Sequence, residues 1–461
     1  MKRIFKRLAA VSVAAITLVS VSVPVFGGSD YDSVDSMLAQ NVEKYHVPAM
    51  AVVEVSSDEV LFEGCYGECT SPDQDFIIGS LSKSFTAVAI MQLVEEGKVD
   101  LDASVSEYLE CTSWFKEGTS YEHITVRDLL NQTSGITTYA TLGSLESTPS
   151  YGSHVYANAN YSLLGLIVES VTGMAYEDYM AYHVFAPLSM NDTYATLSDR
   201  AASNMVPGYR NFFGIEAAGA PDYPKPVAEA SWTSVPGGYI ISSPADMGRY
   251  LQMYLRGGED VLDASSIEQM FYDNVPGEDE GEFYGMGWIY SEENGRVKLM
   301  HTGLVENYVS MMYIYPEEDK AGIVLIAMND YLVNNMYLDN IVAPLTGADL
   351  EDKSGMYWVM HGIIDIACVL LLAAALYPLF TRRKWREGKR NIGLDLLRHL
   401  ILPAGLMMAM RYMAPAFVIK LFAKDVYYVL MVSVYALILG GIYKVVSYLT
   451  MYARGEKLSG K

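Results

Sequence analysis

The amino-acid sequence predicts an α/β protein with an antiparallel sheet flanked by helices, an all-helical insertion, and a C-terminal transmembrane helical region. Three observations support this prediction. Strand-like runs occur near both ends of residues 28–350. Helical periodicity dominates the residues between those runs, from 100 to about 270. Beyond residue 355 the chain becomes apolar enough to span a membrane.

The amino terminus has the residue order that is typical of a secretory signal. Four basic residues precede an apolar run from Leu8 to Val23, and a small residue follows at Gly27. We predict a signal peptide over 1–27, with an uncleaved N-terminal anchor as the alternative. Either segment would export the residues that follow.

The region after the signal is strongly acidic. Residues 28–355 hold fourteen Lys or Arg and fifty Asp or Glu, within a net charge of -23 for the whole chain. Such a surface repels phosphate backbones and anionic lipid headgroups, so we expect no nucleic-acid partner. The charge does not identify a substrate.

The predicted elements of this region follow a definite order. A helix over 33–45 feeds a β-hairpin over 49–66, and a second helix over 80–96 has Gly97 placed to end it. Helical runs then occur at 126–131, 161–171 and 245–255. Strand signals return at 286–290, 297–300, 308–315 and 322–328. Both ends of the region therefore contribute to one sheet.

Apolar segments follow the acidic region. Residues 356–380 and 426–449 are predicted spans, and 396–418 is a further predicted span with a re-entrant segment as the alternative. Basic residues crowd 381–391 and 450–461, and the positive-inside rule places both segments in the cytoplasm. That placement needs an odd number of crossings. We therefore predict three spans that anchor the acidic region on the extracytoplasmic side of the cell membrane.

The pattern Ser-x-x-Lys occurs twice. Ser113 and Lys116 follow a stretch without helical period, so we interpret this match as chance. Ser80 and Lys83 open the helix over 80–96, which places the lysine one turn from the hydroxyl. A partly buried amine has a lowered pKa and can accept the hydroxyl proton, and a helix N-terminus favours a developing oxyanion. The alternative is a capping serine beside a surface lysine.

Two other motifs stand at the borders of predicted elements. Tyr156-Ala-Asn158 lies in a polar loop immediately before a predicted helix, where a phenol and an amide can face a pocket. His301-Thr302-Gly303 ends a predicted strand, where a glycine lets a substrate approach the strand edge closely. Taken alone, the first motif is ordinary loop packing with an N-cap, and the histidine of the second is a surface or packing residue.

Together, on helix, loop and strand in this order, the three motifs resemble those of the serine β-lactamase and penicillin-binding-protein superfamily. The resemblance is to the class C β-lactamase-like branch, which includes D-aminopeptidases and esterases. Flanking segments add to it at 124–136, 160–165, 237–247 and 284–288. It implies a β-lactamase/transpeptidase-like fold and a serine hydrolase domain over 28–350.

The resemblance also implies roles for individual residues. Ser80 would be the nucleophile, with Lys83 and Tyr156 as the proton-transfer pair. The backbone amides of Ser80 and Leu304 would form the oxyanion hole. The other implied substrate-binding residues are Asn158, His301, Thr302 and Gly303.

The sequence departs from the family pattern at two places. His301 stands where a lysine is common, and a neutral imidazole offers a carboxylate a hydrogen bond but little charge, so we expect poor turnover of β-lactams. Glu306 and Asn307 stand where small residues are usual. A carboxylate there favours an amine-bearing substrate, whereas a solvent-facing Glu306 would have no such effect.

We therefore predict a membrane-anchored serine hydrolase that cleaves an amide or ester of a small-molecule or peptide-like substrate through an acyl-enzyme on Ser80, and that is peptidase-like. Its layout is similar to the membrane-anchored peptidases that activate prodrugs of the colibactin type. One alternative is a β-lactamase or D,D-carboxypeptidase. Another is an acylated membrane sensor, which would need a membrane-protein partner to signal, or a non-catalytic binding module. Charged residues in the apolar runs favour a third reading, a transporter component.

The cysteines and histidines predict neither a metal site nor a cofactor. Cys65 and Cys69 are close together, and Cys111 and Cys368 stand alone. No histidine lies near them at ligand spacing, and a disulfide across so short a loop would leave one exported cysteine over. We interpret all of them as structural thiols.

Overall fold

The computed structural model describes residues 31–110, 114–219, 223, 232–293, 295–347, 353–380, 392–412 and 416–455. The predicted signal peptide over 1–27 and the predicted cytoplasmic loop over 381–391 lie outside the described residues. Residues 31–347 contain all the described strands and are called the N-terminal domain below. Residues 353–455, where described, are almost entirely helical.

The strands are short at the middle of the domain sequence and longer at its two ends. In chain order they are β1 (Ala49–Val55), β2 (Val60–Gly67), β3 (Phe76–Ile77), β4 (Thr193–Tyr194), β5 (Tyr209–Phe212), β6 (Ile215–Ala218), β7 (Ile241–Ser242), β8 (Val275–Pro276), β9 (Glu282–Gly285), β10 (Trp288–Glu293), β11 (Arg296–Leu304), β12 (Val309–Tyr315), β13 (Lys320–Ile326) and β14 (Met328–Asn329).

The helices of the domain are α1 (Tyr31–Lys44), α2 (Ser82–Glu95), α3 (Val126–Leu130), α4 (Asn158–Thr172), α5 (Tyr176–Met180), α6 (Asp199–Asn204), α7 (Val235–Gly238), α8 (Pro244–Leu255), α9 (Ala264–Tyr272) and α10 (Tyr331–Thr346). Local signals explain where several of them begin and end. Thr125 and Asp128 form a capping box at the start of α3. At α8 the Ser243 side chain accepts a hydrogen bond from the Asp246 amide, and α4 ends at the left-handed Gly173.

One antiparallel sheet of eight strands organises the domain, in the order β2-β1-β13-β12-β11-β10-β9-β8. β1 pairs with β13 in antiparallel register, with Val52 opposite Val324. The two ends of the domain sequence therefore meet in one sheet, which confirms that part of the fold prediction. Every residue of β1 is buried, as is every residue of β12, because helices cover both faces of the sheet.

The residues of β1 alternate between two hydrophobic clusters. Met50 and Val52 belong to a cluster with side chains of α1 and α10, on one face of the sheet. Ala51 and Val53 belong to the larger cluster with α2 and α8, on the other face. The period of two residues along the strand therefore divides the core into two layers. The larger layer is the one that surrounds the candidate site.

The prediction of an all-helical insertion is wrong. Two additional three-stranded sheets, β3-β7-β4 and β14-β5-β6, draw strands from the predicted insertion. The members β4 and β7 are only two residues long, and β5 and β6 are four residues each. Segments this short show no alternation that a sequence window can detect, and their pairing depends on partners far away in the chain.

The C-terminal helices are α11 (Ser354–Phe380), α12 (Ile392–Leu396), α13 (Leu402–Tyr412), α14 (Ala416–Phe422) and α15 (Lys424–Ala453). A π-helical turn joins α12 to α13, so residues 392–412 form one helical run. Three stretches, Gly355–Pro378, Gly393–Met410 and Lys424–Ala453, are long and apolar enough to cross a membrane. The second stretch overlaps the predicted span over 396–418 but begins earlier, at Gly393, and ends at Met410. Residues 416–418 of the predicted span belong to the separate helix α14.

The contacts among these helices give their directions. His361 of α11 pairs with Asp330 of the N-terminal domain at 2.8 Å, and the backbone amide of Phe213 donates to Asp425 of α15 at 3.0 Å. Both helices therefore start at the domain. Further along, Ala375 packs with Leu437, so the two helices run side by side in the same direction. The run over 392–412 is antiparallel to them, because Asp395 pairs with Lys444 whereas His399 Nδ1–H donates to the Leu437 carbonyl.

Candidate active site

Ser80 lies in a turn of 3-10 helix, Gly79–Leu81, that leads directly into α2. Gly79 has a φ of +58°, and a Cβ at this position would stand 2.5 Å from the backbone nitrogen of Leu304. Only glycine fits this backbone conformation and this contact without strain. The turn therefore presses Ser80 against the end of β11, while its side chain remains half-buried and open to a cavity.

Lys83 is fully buried, one turn after Ser80. Its Nζ lies 3.1 Å from Ser80 Oγ, 2.7 Å from Asn158 Oδ1 and 2.6 Å from the Gly237 carbonyl oxygen. Burial lowers the pKa of this amine well below its ordinary value. In its ammonium form Nζ donates to all three oxygens. In the neutral form that the lowered pKa favours, Asn158 and Gly237 accept its two N–H groups and the lone pair is left for the Ser80 hydroxyl, which is the geometry of a general base.

Tyr156 stands beside both of these residues. Tyr156 and Ser80 line the same cavity, and Lys83 Nζ lies 4.7 Å from the centre of the Tyr156 ring. Burial and the neighbouring Tyr284 phenol raise the pKa of Tyr156 well above its ordinary value. The phenol is therefore protonated at neutral pH and placed to pass a proton to or from the serine oxygen.

The Tyr156 loop is held by Gln132, which has a φ of +61°. Its Oε1 accepts hydrogen bonds from the Ala157 amide at 3.0 Å and from Asn160 Nδ2 at 2.5 Å. Asn158 is the first residue of α4, and its amide reaches back to Lys83 as described. The tyrosine and the asparagine are therefore placed by a helix start and one buried side chain.

β11 carries the third motif. His301 is buried; its Nδ1–H donates to the Thr302 carbonyl at 2.7 Å, and its Nε2 lies 3.4 Å from the Tyr284 hydroxyl. Burial, followed by the charge of Lys83, lowers the pKa of His301 to about 3. The imidazole is therefore neutral at pH 7, and its one N–H group is already engaged within the protein.

Gly303 allows close packing between β11 and the turn that carries Ser80. The cavity beside Ser80 is lined by Thr302 and Leu304, whereas Gly303 is absent from its lining. A Cβ on Gly303 would overlap the Ile78 carbonyl and Ser310 Oγ and would stand 3.1 Å from the Ser80 nitrogen. The missing side chain therefore lets β11 approach the turn that carries Ser80.

The cavity beside Ser80 has a volume of about 360 Å³. Tyr156, Asn158, His301 and Thr302 line it next to the nucleophile. Glu306 also lines it, and because this side chain is buried the solvent-facing alternative is wrong. The Tyr239 hydroxyl donates to the Glu306 carboxylate at 2.9 Å.

Asn307 is the second residue at which the sequence departs from the small residues usual in the family, and it does not line the cavity. Its Oδ1 accepts a hydrogen bond from Arg210 Nε at 2.5 Å, and its Nδ2 donates to the Gly219 carbonyl. Asn307 therefore ties the end of β11 to the strands β5 and β6. Of the two residues, only Glu306 places its side chain in the cavity lining.

Sequence reasoning missed three groups of this site. The Gly237 carbonyl accepts a hydrogen bond from Lys83, but a backbone oxygen leaves no side-chain pattern to detect. Tyr284 contacts both Tyr156 and His301, with ring centroids 6.0 and 5.9 Å apart. Gln132, the third, positions the Tyr156 loop. The sequence signal that could have found them is the set of flanking segments that resemble the family, at 284–288, 124–136 and 237–247, which contain Tyr284, Gln132 and Gly237 respectively.

The second Ser-x-x-Lys match has another environment. Lys116 pairs with Glu146 at 2.6 Å, and both side chains are about half exposed. Ser113 lies outside the described residues, as does Cys111. Cys65 and Cys69 are free thiols, and the Cys69 thiol donates to the Ser71 carbonyl. Among the described residues no group of His, Cys, Asp and Glu is arranged to hold a metal ion.

The sheet with its flanking helices, and the serine, lysine and tyrosine gathered at the start of α2, define the class of serine hydrolases with the β-lactamase fold. Residues 34–339 match the Beta-lactamase family, and the chain belongs to that family. Its sequence is 25% identical over 394 residues to Protein flp of Staphylococcus aureus strain MW2, covering 77% of this chain and 76% of that protein. It is 28% identical over 286 residues to Penicillin-binding protein 4* of Bacillus subtilis strain 168, covering 54% and 60% of the two chains.

Solved structures give the same fold. A class C beta-lactamase superposes with a TM-score of 0.58 at 18% identity, over 70% of this chain and 97% of that chain. A penicillin-binding protein homologue from Pyrococcus abyssi superposes with a TM-score of 0.55 at 25% identity, over 68% and 78%. A D-stereospecific amidohydrolase from Streptomyces sp. superposes with a TM-score of 0.55 at 21% identity, over 69% and 100%. The resemblance to class C β-lactamases and penicillin-binding proteins is therefore confirmed.

Proposed function

We propose that this protein is a membrane-anchored serine hydrolase that cleaves an amide or ester bond through a covalent acyl-enzyme on Ser80. The observation that carries this proposal is the set of three oxygens around Lys83 Nζ, one of which is Ser80 Oγ at 3.1 Å. A buried amine with a lowered pKa, within hydrogen-bond distance of the nucleophile hydroxyl and held by two fixed acceptors, is the arrangement that a catalytic base requires.

The proposed chemistry uses three side chains and two backbone amides. Lys83 removes the Ser80 proton as Oγ bonds to the substrate carbonyl carbon, and the oxyanion is stabilised by the amides of Ser80 and Leu304. Tyr156 then donates its proton to the leaving nitrogen or oxygen as that bond breaks, and regains a proton from the Lys83 ammonium. Water hydrolyses the acyl-enzyme along the same proton path in reverse.

The charges around the cavity indicate which substrates fit. His301 is neutral and its N–H is engaged, so this side chain gives a substrate carboxylate neither charge nor a hydrogen bond. Glu306 places a carboxylate in the cavity lining. The site is therefore suited to a neutral or amine-bearing amide or ester, and a peptidase-like activity is favoured over that of a β-lactamase or D,D-carboxypeptidase. Thr302 and Leu304, at the edge of β11, would hold the substrate.

The directions of the C-terminal helices support a three-span anchor. α11 leaves the N-terminal domain, the run over 392–412 returns towards it, and α15 leaves again, so α11 and α15 both end on the side away from the domain. Basic residues follow both helix ends in the sequence, within 381–391 and 450–461. The positive-inside rule then puts the N-terminal domain on the extracytoplasmic side.

The test is a substrate profile of the full-length protein in lipid nanodiscs. We expect turnover of D-aminoacyl amides or activated esters, weak turnover of a penicillin, and loss of all turnover in Ser80→Ala. The matched control is Ser82→Ala, on the same helix start, whose side chain bonds only to the Gly79 carbonyl and the Ile240 amide. Efficient penicillin hydrolysis would overturn the substrate preference, and turnover that survives Ser80→Ala would overturn the mechanism.

A further inference from the structure

The C-terminal region contributes one wall of the Ser80 cavity. Val418, Leu421 and Phe422, all on helix α14, line the cavity together with Ser80. α14 lies between the helical run over 392–412 and α15, so it belongs to the turn that connects two candidate membrane spans. The cavity is therefore polar at the nucleophile and apolar where it meets α14.

Aromatic side chains extend this apolar wall. Phe417 of α14 lies with its ring 6.2 Å from Tyr139 and 5.9 Å from Trp232, and Phe422 lies 6.1 Å from Trp232. The indole N–H of Trp232 donates to the Thr138 carbonyl at 2.8 Å, which fixes the ring in this position. Tyr139 is 41% exposed and Phe417 is 36% exposed, so the cluster is not simply the interior of the domain.

α14 is held against the domain from its C-terminal side. Asp425, three residues after the end of α14, accepts a hydrogen bond from the Phe213 backbone amide at 3.0 Å. A wall fixed in this way faces the cavity while the helices that flank it lead into the membrane. An apolar group that reaches Ser80 along this wall would be taken out of water.

We propose that α14 is a specificity-determining element, and that the substrate carries an apolar group beside the bond that is cleaved. This inference rests on the proposed hydrolase activity of Ser80. The polar end of the cavity holds the scissile bond, and Val418, Leu421 and Phe422 bind the apolar group. Each methylene that is buried there is expected to raise kcat/KM about fourfold, which is about 0.8 kcal/mol, until the cavity is filled.

The experiment measures kcat/KM for two chromogenic series on the full-length protein in lipid nanodiscs. In the first series, p-nitrophenyl esters lengthen the acyl chain from acetate to octanoate. In the second, 2-alkyl-4-nitrophenyl acetates lengthen the leaving group. We expect kcat/KM to rise with chain length in at least one series, and Leu421→Ser to flatten that rise. Ile419→Ser is the matched control, because Ile419 lies on the same helix but does not line the cavity; it should keep the rise.

Three results would overturn the inference. The first is a kcat/KM that does not depend on chain length in either series. The second is a rise with chain length that Leu421→Ser and Ile419→Ser flatten equally, which would show that the rise reflects partition of the substrate into the lipid. The third is an equal gain at all chain lengths in Leu421→Ser, which would make α14 a lid. Absence of turnover in both series, together with absence of Ser80 labelling by a fluorophosphonate, would instead refute the proposed hydrolase activity.

Discussion

Gly303→Ala tests whether the approach of β11 to the nucleophile turn is required for catalysis. The added Cβ would overlap the Ile78 carbonyl and stand 3.1 Å from the Ser80 nitrogen, whereas ordinary contacts begin at 3.4 Å. Either β11 or the turn must therefore move by about 1 Å, and a misplacement of that size costs about 10²-fold in rate. Loss of one oxyanion donor alone costs about 10²- to 10³-fold. Crowding in the core should also reduce the free energy of unfolding by about 1–3 kcal/mol.

The assay is the rate of fluorophosphonate labelling and of ester turnover, with a thermal unfolding curve for each variant. We expect Gly303→Ala to remain folded, with both rates reduced about 10²-fold or more. Gly219→Ala is the control, since its Cβ would meet only Asn307 Nδ2, at 3.8 Å. A labelling rate in Gly303→Ala equal to that of the unmodified protein would refute the role given to this close contact.

Three other predictions concern charge and orientation. Because Lys83 must be neutral to act and burial lowers its pKa, kcat/KM for an uncharged ester should fall as the pH drops through a midpoint well below 10.5; a midpoint at the ordinary lysine value would contradict this. Glu306→Gln should reduce kcat/KM for an amine-bearing substrate about tenfold relative to a neutral one, because a charge-assisted hydrogen bond is lost. An equal effect on both substrates would show that the Glu306 carboxylate does not recognise the amine. Reporter tags within 381–391 and at Lys461 should both be cytoplasmic, and an external C-terminus would exclude three spans.

The sequence predicted the parts of this fold that repeat over many residues. The hairpin of β1 and β2, the late strands and the helix after Ser80 all have a clear period of apolar residues, and each was found. Boundaries were less predictable. The helix predicted over 80–96 begins at Ser82, after a separate 3-10 turn, because the left-handed Gly79 sets the backbone before it.

The parts of the site that were missed depend on distant contacts. The Gly237 carbonyl approaches Lys83 only because α7 packs against α2, and nothing in the order of side chains signals this. The close packing at Gly303 was missed for the same reason, since its tight neighbours, Ile78 and Ser310, come from other elements. The wall formed by α14 joins residues more than three hundred positions apart in the sequence.

The central claim is that Ser80 becomes covalently acylated. Peptide mass spectrometry after a brief reaction with a fluorophosphonate, or with a slowly hydrolysed ester, locates the modified residue directly. We predict a mass adduct on the peptide that contains Ser80, loss of that adduct in Ser80→Ala, and an unmodified peptide around Ser113. An adduct on the Ser113 peptide, with Ser80 left unmodified, would contradict the account.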